Sequence, residues 1–220
     1  MSAIRSAPMD AIAGVTAIAR YLTIGLLALF AIAAASGCAT TAPAKFYTLN
    51  STATPDGAAP AAHLAVIVGP VAIPAADDQP QFVMQVTPNR VEVDEFNRWA
   101  APLSDGIARA VAGDLAVLLG TPDVATAPMA NFNAQYYVTI DVQRFESTRG
   151  DSTLLEAVWA VRKGAGGATR SGRTIAREAV VGDGFDTLAA AHSRALAQMS
   201  ADIAAAIRVA ARSGRQKPAY

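Results

Sequence analysis

Few residues in the chain carry reactive side chains. One cysteine, Cys38, closes the stretch "AIAAASGC"; the two histidines, His63 and His192, lie far apart; and two carboxylates are neighbours at Asp77 and Asp78. A thiol with no second cysteine in its chain is free, joined to another chain, or covalently modified. Histidine does proton-transfer work when a partner orients it. No partner motif surrounds His63 or His192, so each reads as solvent-facing or satisfied within the fold. Adjacent carboxylates need further oxygen ligands at loop spacing to make a calcium site; "PAADDQPQ" supplies none and reads as solvated loop. There is no G-x-S-x-G elbow and no H-E-x-x-H pair, and "GAGG" (164–167) lacks the Lys-Ser/Thr and the following helix of a phosphate-binding loop. The inventory implies no catalytic residue, no metal and no cofactor.

Position singles out Cys38. Arg5 and Arg20 precede an uncharged apolar run, "YLTIGLLALFAIAAA" (Tyr21–Ala35), and Ala35, Ser36 and Gly37 before the cysteine are small. A positive segment, an apolar segment and small residues, in that order, mark a secretory signal. "ASGC" resembles the bacterial lipobox, whose cysteine receives a diacylglycerol thioether and becomes the new N-terminus; Ala35 stands where leucine is favoured. The expectation is a signal peptide over 1–37, lipid attachment at Cys38, and a short membrane tether over 38–45. Each buried methylene contributes about 0.8 kcal/mol and one acyl chain holds a protein only marginally, so stable attachment needs two or three. The competing reading is an uncleaved membrane helix, because Tyr21 to Ala44 is 24 uncharged residues and about 20 span a bilayer. The Ala, Ser, Gly and Thr content of its second half argues for cleavage. Ala39 follows the cysteine where aspartate would signal inner-membrane retention, which points to the outer membrane, with the folded part facing the periplasm.

The whole chain has 18 basic and 18 acidic residues; without residues 1–37, which contain Arg5, Arg20 and Asp10, it has 16 and 17. Nucleic acid demands a clustered basic surface, and the sole basic cluster is the tail Arg212, Arg215, Lys217, interrupted by Gly214 and Pro218. Residues 211–220 read as a disordered basic tail, and nucleic acid is excluded as a partner.

The rest of the mature chain, 46–210, has the length of one domain. "FYTL" (Phe46–Leu49) has strand composition, and 50–62, rich in Pro, Ala and Thr, reads as a flexible linker. "LAVIVGPVAIP" (64–74) predicts a buried strand broken at Gly69-Pro70. "QFVMQV" (81–86) and "RVEVDEF" (90–96) predict a hairpin around "TPN". Leu103, Ile107, Val111, Leu115 and Leu118 or Leu119 fall at helical spacing, with Pro102 in the first turn and Gly120 as a stop. "YYVTIDVQRFES" (136–147) alternates, with Val138, Ile140 and Val142 on one face; "TLLEAVWAVRK" (153–163) and "RTIAREAVV" (173–181) complete an antiparallel meander. A long helix over 185–210 has Asp186 as candidate N-cap and a stripe of Leu188, Ala195, Met199, Ile203 and Ala206 or Ile207. The class is α/β: one domain, a mixed, largely antiparallel sheet and two main helices in the order β-β-β-β-α-β-β-β-α.

Between the hairpin and the first helix, "NRWAAPL" (97–103) sets Arg98 beside Trp99, one of two tryptophans. Either Trp99 packs under the helix start while Arg98 pairs with an acid, or both belong to a protein contact, where Trp and Arg are enriched.

The lipobox, "FYTL" shortly after it, "VGPVAIPAADDQPQFVMQ" (68–85) and "NRWAAPL" before a helix together resemble the ABC-type transport auxiliary lipoprotein family, the PqiC/YmbA-like lipoproteins. The resemblance implies a non-enzymatic envelope component. It would accompany an MCE-domain protein with its permease and ATPase, meeting the lipid tunnel at the outer membrane, to which Cys38 holds it. Arg98 and Trp99 are family marks and candidate partner contacts. A homo-oligomer is left open, and a stand-alone lipid-binding lipoprotein is the alternative.

Overall fold

The computed structural model describes residues 22–23, 25–26, 42–60, 63–164 and 167–215. Cys38 and nearly all of the expected signal peptide lie outside them. The chain divides into two compact units, Met1–Pro43 and Ala44–Tyr220, and the second unit carries the fold. Its elements are β1 (Lys45–Tyr47), β2 (Val66–Ala72), β3 (Gln81–Thr87), β4 (Arg90–Trp99), α1 (Leu103–Leu119), β5 (Val124–Thr126), β6 (Tyr136–Thr148), β7 (Ser152–Lys163), β8 (Thr169–Ala179) and α2 (Phe185–Arg215).

The α/β class and the two helices are as expected, but the strands divide between two sheets. One has three strands in the order β1-β4-β3, the other five in the order β5-β2-β6-β7-β8. The expected antiparallel pairings β3-β4, β6-β7 and β7-β8 are present, and β1-β4, β2-β5 and β2-β6 are parallel. Alternation along a strand specifies its two faces but not its neighbours, which is why one sheet and two sheets look alike in sequence.

β6 reads as predicted: Val138, Ile140 and Val142 are buried while Thr139, Asp141 and Gln143 are exposed. On β7 the same face continues with Leu155, Ala157 and Trp159, which lie opposite Ala176, Thr174 and Gly172 of β8. Gly172 makes room for an indole: a Cβ there would stand 2.3 Å from Cζ2 of Trp159. Both helices cover this face, α1 over β2 and β5, α2 over β7 and β8, and they pack on each other. Ile107, Val111, Leu115, Leu188, Met199 and Ile203 are fully or almost fully buried, each contributing about 1.5–3 kcal/mol.

α1 stops at Gly120, whose left-handed φ of 64° lets its N–H reach the carbonyls of Ala116 and Val117. Asp186 lies inside the first turn of α2 rather than at its cap, where a carboxylate still favours the helix dipole. α2 runs on to Arg215, so the first five residues of the expected tail, 211–215, are helical. Three-residue β5 escapes any periodicity argument, since it exists only through its pairing with β2.

Residues 50–60 contain no helix or strand, as their composition predicts. Their first half is nevertheless fastened down rather than loose. Oδ1 of buried Asp114 on α1 accepts hydrogen bonds from Ser51 Oγ (2.8 Å), Thr52 N (2.9 Å) and Ala53 N (2.9 Å), and Oδ2 accepts one from Ser200 Oγ on α2 (3.1 Å). Asn50 N donates to Ser193 Oγ, and Arg208 forks onto Asp56 at 2.7 and 3.1 Å. A buried carboxylate needs such donors, and its place in the apolar stripe of α1 was the visible signal.

Candidate functional site

The two sheets and α2 meet in a cluster of rings. Phe82 of β3 stacks on Trp99 at 4.0 Å between centroids and meets Tyr47 of β1 and Phe185 of α2 edge-on at 5.4 and 5.2 Å. Trp99 in turn meets Phe145 of β6 at 6.1 Å, and Phe145 stacks on His192 of α2 at 3.8 Å. Buried edge-to-face and offset contacts of this kind are each worth about 0.5–1.5 kcal/mol beyond burial. The cluster fixes the three-stranded sheet to the rest of the fold.

Above its Tyr47–Trp99 edge lies a cleft of about 350 Å³ between the segment Thr48–Ser51 and the first half of α1. Tyr47, Leu49, Trp99 and Leu103 supply apolar wall, Ser51 a hydroxyl and Arg109 a cation. Arg109 has no ion-pair partner among the described residues. One wall of the cleft is the segment that Asp114 pins, so the cleft is preformed. Its chemistry is that of a binding site: rings, a hydroxyl and a guanidinium.

Arg98 and Trp99, adjacent in sequence, separate in space. Trp99 is 7% exposed and packs in the ring cluster, and its backbone N–H donates to Pro80 O at 2.7 Å. Arg98 is half-buried on the opposite face of β4, where its Nε donates to the backbone carbonyl of Glu95 at 3.1 Å, not to an acid. Neighbours on a strand must diverge in this way. Trp99 therefore belongs with the cleft and Arg98 with the outer surface of the three-stranded sheet.

His192 is wholly buried, and its Nε2 lies 2.8 Å from Ser147 Oγ. A serine bonded to histidine is the start of a nucleophilic pair, but Nδ1 has no partner and Ser147 is 2% exposed. Burial pushes the His192 pKa down to about 3, so the ring is neutral and serves as packing with one satisfied nitrogen. His63 is exposed. Asp77 has its pKa pushed up to about 6, first by burial and then by the nearby Glu146, while Asp78 beside it is exposed. Among the described residues no group of three metal-ligating side chains converges.

The ABC-type transport auxiliary lipoprotein component family matches residues 47–204, and the chain belongs to that family. No curated protein matches the chain. Among solved structures, a protein from Xanthomonas campestris has a TM-score of 0.65 at 20% identity, over 79% of this chain and 100% of that one. An uncharacterized protein has a TM-score of 0.62 at 19% identity, over 76% and 99%. These likenesses show the fold. The protein is thus an auxiliary lipoprotein of transport systems, a class associated with membranes and with a transporter.

Proposed function

We propose that this protein is the non-catalytic docking subunit of an MCE-type intermembrane lipid transporter, held at the outer membrane by acyl chains on Cys38 and facing the periplasm. The MCE-domain protein, with its permease and ATPase, is the partner, and the cleft over Tyr47 and Trp99 is where it docks. The observation that carries this reading is the cleft itself: a preformed aromatic floor and a solitary cation, Arg109, without a reactive group in reach. Aromatic residues and arginine supply most contact energy at protein interfaces, and the sealed Ser147–His192 pair leaves its serine no room for a substrate.

Deletion of the gene is expected to make cells sensitive to detergent, with recovery on supplying the full chain and none on supplying a Cys38→Ala variant. Unchanged permeability alongside an intact partner complex contradicts the proposal. The cleft volume favours a second reading, since small-molecule sites begin at about 300 Å³: a stand-alone lipid-binding lipoprotein. Phospholipid retained by the purified protein, and lost in an Arg109→Glu variant, is its signature.

A further inference from the structure

The β3-β4 hairpin is amphipathic in an unusual sense. Its inward face carries Phe82 and Met84, both buried. Register places Val91 opposite Gln85, Val93 opposite Val83, Arg98 opposite Gln81 and Phe46 opposite Arg98, all on the face turned away from the ring cluster. The extra residues of β4 between Val93 and Arg98 form a bulge, stabilised by Asp94 Oδ1, which accepts bonds from Phe96 N and Asn97 N at 2.9 and 2.8 Å. The bulge brings Arg98 round to the side of Val91 and Val93. Phe46 is 64%, Val91 51% and Val93 46% exposed. Glu92, between the two valines, points the other way, opposite Met84. An outward sheet face that exposes aliphatic and aromatic side chains at these register positions reverses the usual order of strand faces, and such surfaces mark contact sites.

We infer that this outward face of the β1-β4-β3 sheet rests on the phospholipid surface. The inference depends on the acyl anchor at Cys38 proposed above. Phe46 follows Cys38 by eight residues, and a chain of that length reaches at most about 28 Å. The tether therefore keeps Phe46 within that distance of the bilayer, whatever path it takes. The face's chemistry fits that neighbour: apolar side chains enter the boundary of headgroups and acyl chains, commonly to about 5–10 Å, and a cation pairs with phosphate. Arg98 is the charge that register places on the face. A lipid-seated face would also orient the domain, fixing which way the cleft looks.

The test uses the full acylated chain in vesicles of phosphatidylethanolamine and phosphatidylglycerol. Acylation blocks the one native thiol, so a fluorophore can be attached to a Val93→Cys variant, to a Val91→Cys variant, and to an Ile175→Cys variant on the five-stranded sheet, where Ile175 is 63% exposed. The label at 93, and at 91, is expected to be quenched several-fold more by nitroxide-bearing lipid than the label at 175, and to be shielded from aqueous iodide. Equal quenching at all three positions overturns the inference. Shielding of 91 and 93 from both quenchers also overturns it, since a protein, not lipid, then covers the face. The mass of the Cys38 peptide separates the two claims. An acylated Cys38 with equal quenching defeats the face alone, whereas an unmodified Cys38 removes the proximity on which it depends and defeats both.

Discussion

The two sheets share an inner side and differ on the outer one. On the face of the five-stranded sheet turned from the helices, Arg144 of β6 forks onto Glu146 at 2.7 and 2.9 Å and lies 3.8 Å from Glu156 of β7, which Arg173 of β8 also contacts. Charges of both signs alternate across three strands, the pattern of a surface that stays in water. Ile175 and Val158 are also exposed on that face, at 63% and 38%, but in register with Glu156 and Arg173; the three-stranded sheet exposes Phe46, Val91 and Val93, with Arg98 in register beside them. One fold thus has an outer face laced with ion pairs and another with few, joined through a cluster of rings. The lipid-facing role inferred for the smaller sheet rests on that difference between the two outer faces.

Breaking the joint should have the largest effect. A Trp99→Ala variant removes the ring that stacks on Phe82, and a loss of about 3–5 kcal/mol is expected in urea unfolding, the usual range for a buried large aromatic. A Trp99→Phe variant should lose distinctly less. Next is the pin that shapes the cleft. An Asp114→Ala variant strands the N–H groups of Thr52 and Ala53, and a loss of about 3 kcal/mol is expected, with limited proteolysis now cutting within 50–56. Intact resistance there would mean that the segment holds itself in place.

Acid should act on the scaffold with a definite sign. His192 has its folded pKa lowered to about 3, so below its ordinary value near 6.5 the unfolded chain binds a proton that the folded one does not. Stability from this residue falls as pH drops from about 6.5 toward 3. Asp77 opposes it: a folded pKa raised to about 6 means its contribution falls as pH rises from about 4 to 6. An Asp77→Asn variant should therefore be more stable than the parent above pH 6 and show a steeper acid loss, read from unfolding midpoints across pH. A parallel shift at every pH would contradict the assignment. The smallest change belongs to the wetted face, where Arg173→Ala should cost at most about 1 kcal/mol and diminish at high salt.

Much of this architecture was legible in the sequence because periodicity is local. Ile107, Val111 and Leu115 announced α1, Val138, Ile140 and Val142 announced β6, and Pro88-Asn89 announced the hairpin turn. What could not be read depends on distant pairing. The split into two sheets, the pairing of β5 on the far side of β2, and the meeting of Tyr47, Phe82, Trp99, Phe145, Phe185 and His192 bring together residues distant in the chain. Asp114 was readable as a carboxylate on an apolar stripe, though its partners in a segment rich in Pro and Ala were not. Alternation in "RVEVDEF" showed a two-faced strand without saying which face turns inward, and the bulge then brought Arg98 to the side of Val91 and Val93.

The most direct test of the docking role is purification of the tagged, membrane-extracted protein after cross-linking in cells, with mass spectrometry of everything recovered. The expected result is an MCE-domain protein with its permease, recovered with the parent chain and lost with an Arg109→Glu variant that folds normally. Recovery of the lipoprotein alone, or equal recovery of the transporter with both forms, would contradict docking through the cleft.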